Sequence, residues 1–430
     1  MTSMEMVGWI VCIALVAGSW VQSLRAQGPD TPESQPSAAA PEPAPVPPAP
    51  DGQTLPPRLP IVAWYGLFGP SATSERFAEL AAAGFTHNTG WFGSVEELRK
   101  AMDAAQPAGI KLIARAPLLD SDPEAFAAQV KDHPAFGGHF IADEPGASQF
   151  DQLGQLVRRL QAVDPDHLCY INLFPDWADG AKQMEAENYE QYLRQFIQKV
   201  PVQVISFDHY PVVEGGITGT FYRNLEEVSR ASSDAGKPFW AFALSIPHAN
   251  HPVPTLAHLR FQQYTNLACG AQGLQYFTYT TPEDRLFGAG PLDRDLQRTP
   301  IYDLLVQLNR ELQAQAWVFI GSRVLSVSHI GPHSPEGATA YVPADPIRSL
   351  EVKGRGAVVS LLENNGRRHL VIVNHSYVKP AQVQVSWDPA CRMQQVDKGG
   401  LAHDLPGDSL QQPLETGDAM ILTWEAGDAR

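Results

Sequence analysis

Residues 138–163 read GHFIADEPGASQFDQLGQLVRRLQAV: a short apolar strand, two acids and a proline, and then an amphipathic helix. The proline after the acids ends the strand, because proline cannot donate a backbone hydrogen bond to a neighbouring strand. In the helical half, apolar residues recur with the spacing of one helix face: Leu153, Leu156, Val157 and Leu160. A strand followed by a covering helix is the building unit of an α/β fold, so the number of such units decides the architecture.

The unit recurs eight times between residues 61 and 315. The predicted strands are near-continuous apolar runs, as expected for parallel strands buried on both faces. They cover residues 61–68, 85–92, 110–116, 138–142, 168–174, 203–207, 238–244 and 273–279. Helix starts stand between them, such as Ser94 with Glu97 in a capping box and Asp122 before Pro123. Eight units in roughly 250 residues predict a closed (β/α)8 TIM barrel.

An open, doubly wound α/β sheet is the alternative to the barrel. Such sheets bind dinucleotides through a GxGxxG turn after a strand, and this sequence has none in that position. The sequence therefore favours the barrel and implies no nucleotide cofactor.

Beyond the barrel, residues 316–430 change to short alternating strands and tight turns, which predicts a small antiparallel β-sandwich. Residues 357–363 and 369–374 flank Asn365-Gly366, a strong hairpin signal. Residues 382–387 and 419–424 supply further strands. No catalytic constellation stands in this region, so we expect it to pack against the barrel.

The chain begins with two segments that we place outside the fold. Residues 1–26 are interpreted as a signal peptide, since the apolar run 7–20 is too short for a membrane span of ~20 residues. The alternative is an uncleaved N-terminal anchor. Residues 27–60 are rich in proline and predict a disordered linker. We therefore expect a secreted protein, or one of the periplasm or cell envelope.

Charge and cysteine content restrict the partners. The 31 Lys and Arg against 47 Asp and Glu give a net charge of −16, which disfavours nucleic acid or an anionic membrane surface as partner. The cysteines after the leader show no CxxC spacing, so we expect no thiolate zinc site and interpret them as packing residues. A Cys169–Cys269 disulfide is an alternative that nothing in the sequence supports. We expect no metal and no cofactor.

Two of the predicted strands end in chemically reactive side chains, and in a (β/α)8 barrel the working residues stand at the carboxyl ends of the strands. The fourth ends in Asp143-Glu144-Pro145, and adjacent carboxyl groups can differ in pKa so that one serves as general acid. The sixth ends in Asp208-His209-Tyr210. Alternative interpretations are an ion pair of Asp143 with Arg115 and an Asp–His pair that only steadies the turn.

The rest of the rim is rich in aromatic and amide side chains. Sugars present apolar CH faces and rings of hydroxyl groups, so flat rings together with amides and carboxylates suit them. We predict that substrate-binding residues come from this set together with His209 and Tyr210: Trp64, Tyr65, Asn88, Trp91, Asn172, Trp240, His248, Tyr279 and Glu283. The predicted partner is an oligosaccharide or polysaccharide.

The motifs DEP, SFDHYP, PFWAFALS and GAQGLQYFTY, at the ends of the fourth, sixth, seventh and eighth strands, resemble those of barrel glycoside hydrolases. The chain is similar over residues 61–321 to the large retaining clan that includes bacterial β-galactosidases. This resemblance implies that Glu144 is the catalytic acid/base. The clan usually has asparagine before that glutamate, where this chain has Asp143.

The resemblance fails at the seventh strand, where the clan has a glutamate nucleophile and residues 238–250 contain no acid. Three hypotheses follow. Asp208 replaces the nucleophile. Alternatively, an Asp–Glu pair assists a substrate whose own N-acetyl group attacks, as in barrel hexosaminidases, with Tyr210 in support. In the third, the barrel binds sugar without cleaving it.

Overall fold

Eight strands close into a parallel barrel in the computed structural model, which describes residues 58–428. The barrel strands β1–β8 are Ile61–Trp64, His87–Trp91, Lys111–Arg115, Phe136–Asp143, Leu168–Leu173, Ile205–Phe207, Phe239–Leu244 and Gly273–Phe277. The predicted signal peptide and nearly all of the predicted linker lie outside the described residues.

The strand order confirms the predicted fold class. Around the barrel it runs β1-β8-β7-β6-β5-β4-β3-β2, and every neighbouring pair is parallel. An open doubly wound sheet is excluded, because β1 pairs with both β2 and β8. A two-stranded hairpin, Val212–Val213 with Gly216–Ile217, follows β6.

Helices connect the strands and cover the outside of the barrel. Helices α1–α10 are Ser74–Ala82, Val95–Ala105, Leu118–Ser121, Pro123–Val130, Phe150–Val163, Tyr189–Lys199, Phe221–Asp234, Leu256–Ala268, Pro300–Ala314 and Ala316–Phe319. The predicted caps hold: Ser94 Oγ accepts from the Glu97 N–H at 3.1 Å, and the Asp122 carboxylate accepts from the Ala125 N–H at 3.0 Å. The Glu97 carboxylate accepts from the Gly93 N–H rather than from Ser94.

Alternation along the strands separates two cores. One set of side chains faces the helices, as Ile61 and Ala63 do in β1. The next residues, Val62 and Trp64, face the barrel interior, where they meet inward side chains of the other strands. The candidate active site lies at the carboxyl end of this interior.

A bulge in β4 changes which residue faces inward. Phe140 pairs in register with Tyr170, but the next paired residue is Ala142, so Ile141 is an extra residue. Beyond this bulge Asp143 stands opposite Asn172, an inward position of β5. Strict alternation from Phe140 would have turned Asp143 towards the helices.

The C-terminal part forms two antiparallel sheets. Strands β9–β17 are Arg323–Ile330, Ile347–Lys353, Ala357–Asn364, Arg367–Asn374, Ala381–Trp387, Gln394–Val396, Ala402–Asp404, Ser409–Leu414 and Ala419–Glu425. One sheet has the order β9-β11-β12-β17-β14-β15, and the other has the order β10-β13-β16. Asn365 and Gly366 join β11 to β12 with φ of 48° and 76°, which confirms the predicted Asn-Gly hairpin.

The larger sheet packs on the barrel helices with one face and on the smaller sheet with the other, so it connects the barrel to the β-sandwich. In β11, Val358 and Leu362 pack with the barrel helices, whereas Ala357 and Val359 pack against the smaller sheet. A partly buried polar contact crosses the same boundary, where His329 of β9 pairs with Glu226 of α7 at 2.9 Å. The predicted β-sandwich therefore packs on the barrel.

Two smaller observations concern the same described residues. Cys169 and Cys269 are both buried and are not joined to each other, so that alternative is wrong. No helix within residues 58–428 is long and apolar enough to cross a membrane.

Candidate active site

Three carboxyl groups meet at the carboxyl end of the barrel: Asp143 and Glu144 after β4, and Asp208 after β6. The Asn172 side chain at the end of β5 connects them, since its Nδ2 donates to Asp143 Oδ1 at 3.1 Å and to Asp208 Oδ1 at 3.0 Å. The carboxyl groups of Asp208 and Glu144 are also hydrogen-bonded to each other. The structure thus brings the three predicted catalytic residues together.

A buried network below the carboxyl groups fixes the orientation of Asn172. Ser206 Oγ donates to Asn172 Oδ1 at 2.9 Å, so the amide nitrogen must face the two aspartates. Gln275 Nε2 donates to Ser206 Oγ at 2.8 Å, and the Tyr170 hydroxyl donates to Gln275 Oε1 at 2.6 Å. These side chains lie inside the barrel and are almost fully buried. The amide is therefore held in place before any substrate binds.

Burial and mutual repulsion keep protons on this cluster near neutral pH. Burial, followed by the charge of Asp208, raises the pKa of Asp143 to about 7, while the hydrogen bond from Asn172 opposes the shift. Burial raises the pKa of Asp208 to about 6, against hydrogen bonds from Asn172, Tyr210 and Glu144. Displaced carboxyl pKa values in one cleft are what acid–base catalysis requires.

The backbone at Glu144 adopts a left-handed conformation, with φ of 48°. Its N–H still donates to the Asn172 carbonyl at 2.8 Å, so the hydrogen bonding between β4 and β5 continues one residue past the strand. Left-handed backbone is costly for a residue with a long side chain, and such strain concentrates at functional sites.

Aromatic rings flank the carboxyl groups and form one contiguous cluster. The ring centroids of Trp64 and Trp91 are 5.4 Å apart, and Tyr65 lies 6.0 Å from Trp91. Tyr210, which is hydrogen-bonded to Asp208, has its ring centroid 5.6 Å from that of Phe277, with the two rings tilted by 35°. Trp64 is 7% exposed and forms part of the floor, whereas Trp91, Tyr65 and Tyr210 are half-buried and offer ring surface to a ligand.

Two predicted binding residues face away from the site. Asn88 is fully buried and binds the loop after β1, accepting from the Leu67 N–H at 2.6 Å and donating to the Leu67 carbonyl at 2.9 Å. Tyr279 is buried against Phe85 on the helix side, with ring centroids 5.3 Å apart. Both residues stabilise the barrel wall, so the structure does not bring them to the carboxyl groups.

The seventh strand contributes apolar surface rather than an acid. Trp240 faces the barrel interior but pairs in register with Gly273, the first residue of β8, so it lies towards the amino end, away from the site. At the carboxyl end of β7, Leu244 faces inward. The next residue, Ser245, donates from its hydroxyl to the Thr278 carbonyl at 2.7 Å.

His209 steadies a loop instead of facing the carboxyl groups. It is buried, its Nδ1 pairs with Asn224 Oδ1 at 2.8 Å, and its Nε2 pairs with Thr218 Oγ1 at 2.9 Å. Both ring nitrogens are therefore occupied by protein partners. This arrangement agrees with the view that the histidine steadies the turn, although its partner is an amide rather than Asp208.

His248 and Glu283 lie on loops around the aromatic cluster. The His248 ring centroid lies 4.8 Å from that of His251, with the rings tilted by 34°, and 6.0 Å from that of Phe277. Glu283 is exposed, and its charge is the second cause, after burial, of the raised pKa of Tyr65. The two residues thus border the cluster without contacting the three carboxyl groups in any described interaction.

The alternative ion pair between Arg115 and Asp143 is wrong. The Arg115 guanidinium pairs with Asp120 and donates to the Ile141 carbonyl at 2.9 Å. Asp143 accepts instead from the neutral amide of Asn172. The raised pKa of Asp143 follows from this, because a neutral donor offsets burial less than a cation would.

Sequence reasoning did not include the supporting network of Tyr170, Ser206 and Gln275. Each stands two residues before an inward residue at the carboxyl end: Asn172, Asp208 and Phe277. Because side chains alternate along a strand, this spacing is the signal that would have identified them. Polar residues at inward positions of apolar strands need partners, and here they find one another.

Comparisons with known proteins add likenesses of fold. The sequence matches no protein-family model and no curated protein. Similar solved structures include a GH27 β-L-arabinopyranosidase from Geobacillus stearothermophilus, at 11% identity over 86% of this chain and 96% of that chain, with a TM-score of 0.49. The α-galactosidase I of Mortierella vinacea is 9% identical over 85% and 96%, with a TM-score of 0.49.

A β-galactosidase from the psychrophilic Marinomonas ef1 is 12% identical, with a TM-score of 0.46. Its alignment covers 60% of this chain and 60% of the β-galactosidase chain. The barrel fold is established by the order of its strands, and likenesses this distant assign no activity.

Proposed function

We propose that this protein is a glycoside hydrolase in which Glu144 is the general acid/base and Asp208 is the carboxylate that works with it. The observation that carries the proposal is the hydrogen bond between these two carboxyl groups at the carboxyl end of the barrel. Glycoside hydrolysis needs such a pair, one protonated to release the leaving group and one ionised.

The hydrogen bond indicates which group holds the proton. Two carboxyl groups can bond only through a proton on one of them, and the contact with Glu144 lowers the pKa of Asp208. In this proposal Asp208 is the acceptor and Glu144 the donor, because Asp208 already accepts from the Asn172 amide. Tyr210 and Asn172 also donate to Asp208, which concentrates negative charge there and leaves the proton on Glu144.

Substrate binding would have to open this contact, because the two catalytic carboxyl groups of a retaining glycosidase stand ~5–5.5 Å apart with the sugar between them. A glycosidic oxygen that replaces Asp208 as the acceptor would receive the Glu144 proton. Asp208 would then face the anomeric carbon as an anion, where it either attacks or stabilises positive charge. Asp143, bridged to Asp208 by Asn172, would keep its proton below about pH 7 and orient the substrate by donating a hydrogen bond.

The proposal is tested by Glu144→Gln, with turnover screened across aryl glycosides and plant, algal and host glycans. We expect turnover of any responsive glycoside to fall by about 10²–10⁴-fold, which is the usual contribution of general acid catalysis. Binding should stay near that of the wild type. Glu187→Gln, at an exposed glutamate, is the matched control and should be fully active.

Asp208→Asn with added azide then identifies the role of the second carboxyl group. A glycosyl azide of inverted anomeric configuration would mark Asp208 as a nucleophile, and its absence would leave Asp208 an orienting or charge-stabilising group. A fully active Glu144→Gln protein would contradict the proposal.

A sugar-binding barrel without hydrolysis is the second candidate, and one observation favours it. The clan that the sequence resembles has its nucleophile on the seventh strand, where this chain has buried Leu244 and Ser245. Wild-type protein that binds glycans but hydrolyses none of the panel would establish this alternative.

The proposal includes export. Its support is the apolar run of residues 7–20 followed by the proline-rich residues 27–60, of which the structure describes only residues 58–60. Amino-terminal sequencing of protein isolated from its native host should find a chain that begins at residue 27. A chain that retains residues 1–26 in the membrane fraction would favour the uncleaved anchor.

A further inference from the structure

Trp177 is held out into solvent on the loop that follows β5. It is 53% exposed, whereas the other six tryptophans of the described chain are buried or half-buried. Exposure of an indole forfeits the free energy that its burial would provide, and it leaves a flat apolar face open to a ligand.

The loop on both sides of Trp177 is fixed by hydrogen bonds. The buried Asp176 side chain pairs with Arg223 at 2.7 Å, and the Asp176 N–H donates to Asn224 Oδ1 at 3.2 Å. On the other side, the Asp179 side chain accepts from two backbone N–H groups, those of Ala181 and Lys182, at 3.0 Å each. The exposed indole therefore sits on a preorganised support, which reduces the entropy lost on binding.

The same support connects Trp177 to the three carboxyl groups. Asp176 Oδ1 lies 3.7 Å from Nδ1 of His209, the residue directly after Asp208. Trp177 is also only five residues beyond Asn172, which contacts both aspartates, so it lies within about 18 Å of Asn172 along the chain. His209, which does not face the carboxyl groups, thus serves the site by anchoring this loop.

We propose that Trp177 is an outlying sugar-binding platform, so that the barrel takes an oligosaccharide chain rather than a single sugar. The inference rests on the proposed function, because that function places one end of the oligosaccharide at the three carboxyl groups and extends the sugar chain outward from them. A protein partner would need a contiguous apolar patch, yet exposed polar residues such as Asp179 and Lys182 follow Trp177 on its loop. One flat ring in polar surroundings fits the CH face of a neutral sugar ring, and the net charge of −16 suits a neutral ligand.

The test measures binding in the Glu144→Gln background, so that no probe is consumed. Calorimetric titrations use cellohexaose, xylohexaose, mannohexaose, laminarihexaose and chitohexaose, each beside its monosaccharide. We expect at least one hexasaccharide to bind, and Trp177→Ala to weaken it about tenfold. Affinity for the corresponding monosaccharide should not change. Trp177→Phe should recover most of the loss, and Val342→Ala, at an exposed apolar residue of the β-sandwich, should have no effect.

Two outcomes would overturn the inference: unchanged hexasaccharide affinity in Trp177→Ala, or no binding of any hexasaccharide. Failure of the proposed function is distinguishable, because it shows as binding without hydrolysis by the wild-type protein. If the wild-type protein hydrolyses glycosides but Trp177→Ala leaves the hexasaccharide affinity unchanged, only the role of Trp177 is refuted.

Discussion

Removal of the Asn172 amide should change how the stability of this protein depends on pH. The folded-state pKa values of Asp143 and Asp208 are raised to about 7 and about 6, above the ordinary aspartate value of 3.8. Carboxyl groups with raised pKa values favour folding fully below pH ~4, where both states are protonated. That contribution is lost as the pH rises through the folded-state values, so these two aspartates by themselves favour folding more at pH 4 than at pH 8.

In Asn172→Ala this loss should be deeper and extend to higher pH. Asn172 donates one hydrogen bond to each aspartate, and a hydrogen bond to a charged group contributes about 1.5–3 kcal/mol. One pKa unit corresponds to about 1.4 kcal/mol, so each pKa should rise by about one to two units. The two shifts together should lower the free energy of unfolding at pH 9, relative to pH 4, by roughly 3–6 kcal/mol more than in the wild type.

Urea unfolding of both proteins between pH 4 and pH 9 measures this difference. Asn88→Ala is the matched control, because Asn88 is equally buried but bonds only to uncharged backbone groups. It should lower stability by a similar amount at every pH. If the Asn172→Ala curve ran parallel to that of Asn88→Ala, the amide would not be controlling the charge of the two aspartates.

Three further substitutions test the fold around the site by thermal or urea unfolding. Tyr170→Phe removes the hydroxyl that donates to Gln275, so it should cost about 1–3 kcal/mol; an unchanged stability would contradict the described network. Gly273→Ala would place a Cβ 2.5 Å from the Trp240 ring, so we expect a loss of about 1–3 kcal/mol, and a stabilised variant would refute this packing. Gly366→Ala meets open space but keeps a left-handed φ of 76°; the loss should be only about 1 kcal/mol, and a larger one would point to contacts that the structure does not show.

The barrel was predictable because its signal is repeated. An apolar strand followed by an amphipathic helix recurs eight times. Misplacing the bounds of one such unit would not change the number of units. The bounds of the strands were harder to predict. The strand β4 begins at Phe136, two residues before its predicted start, because Gly137 and Gly138 make its first residues less apolar without ending the strand.

The site was only partly predictable, since sequence shows which residues end a strand but not which way they face. Asp143 faces inward through a bulge that no sequence pattern marked. Asn88 is the second residue of β2 and three residues before Trp91, which packs on the inner core, so alternation turns Asn88 to the helix side. Tyr279 lies two residues beyond Phe277, the last residue of β8, where strand alternation no longer applies, and it packs on the helix side. That Trp240 lies towards the amino end of the barrel could be recognised only from the register of β7 with β8, which the sequence does not show.

The left-handed backbone at Glu144 has a consequence for engineering this protein. Glycine and, to a lesser degree, asparagine adopt that conformation at lower cost than glutamate, by about 1 kcal/mol. Selection of variants for heat resistance alone should therefore replace residue 144 early and discard the proposed acid, so any library built for thermostability should keep this codon fixed.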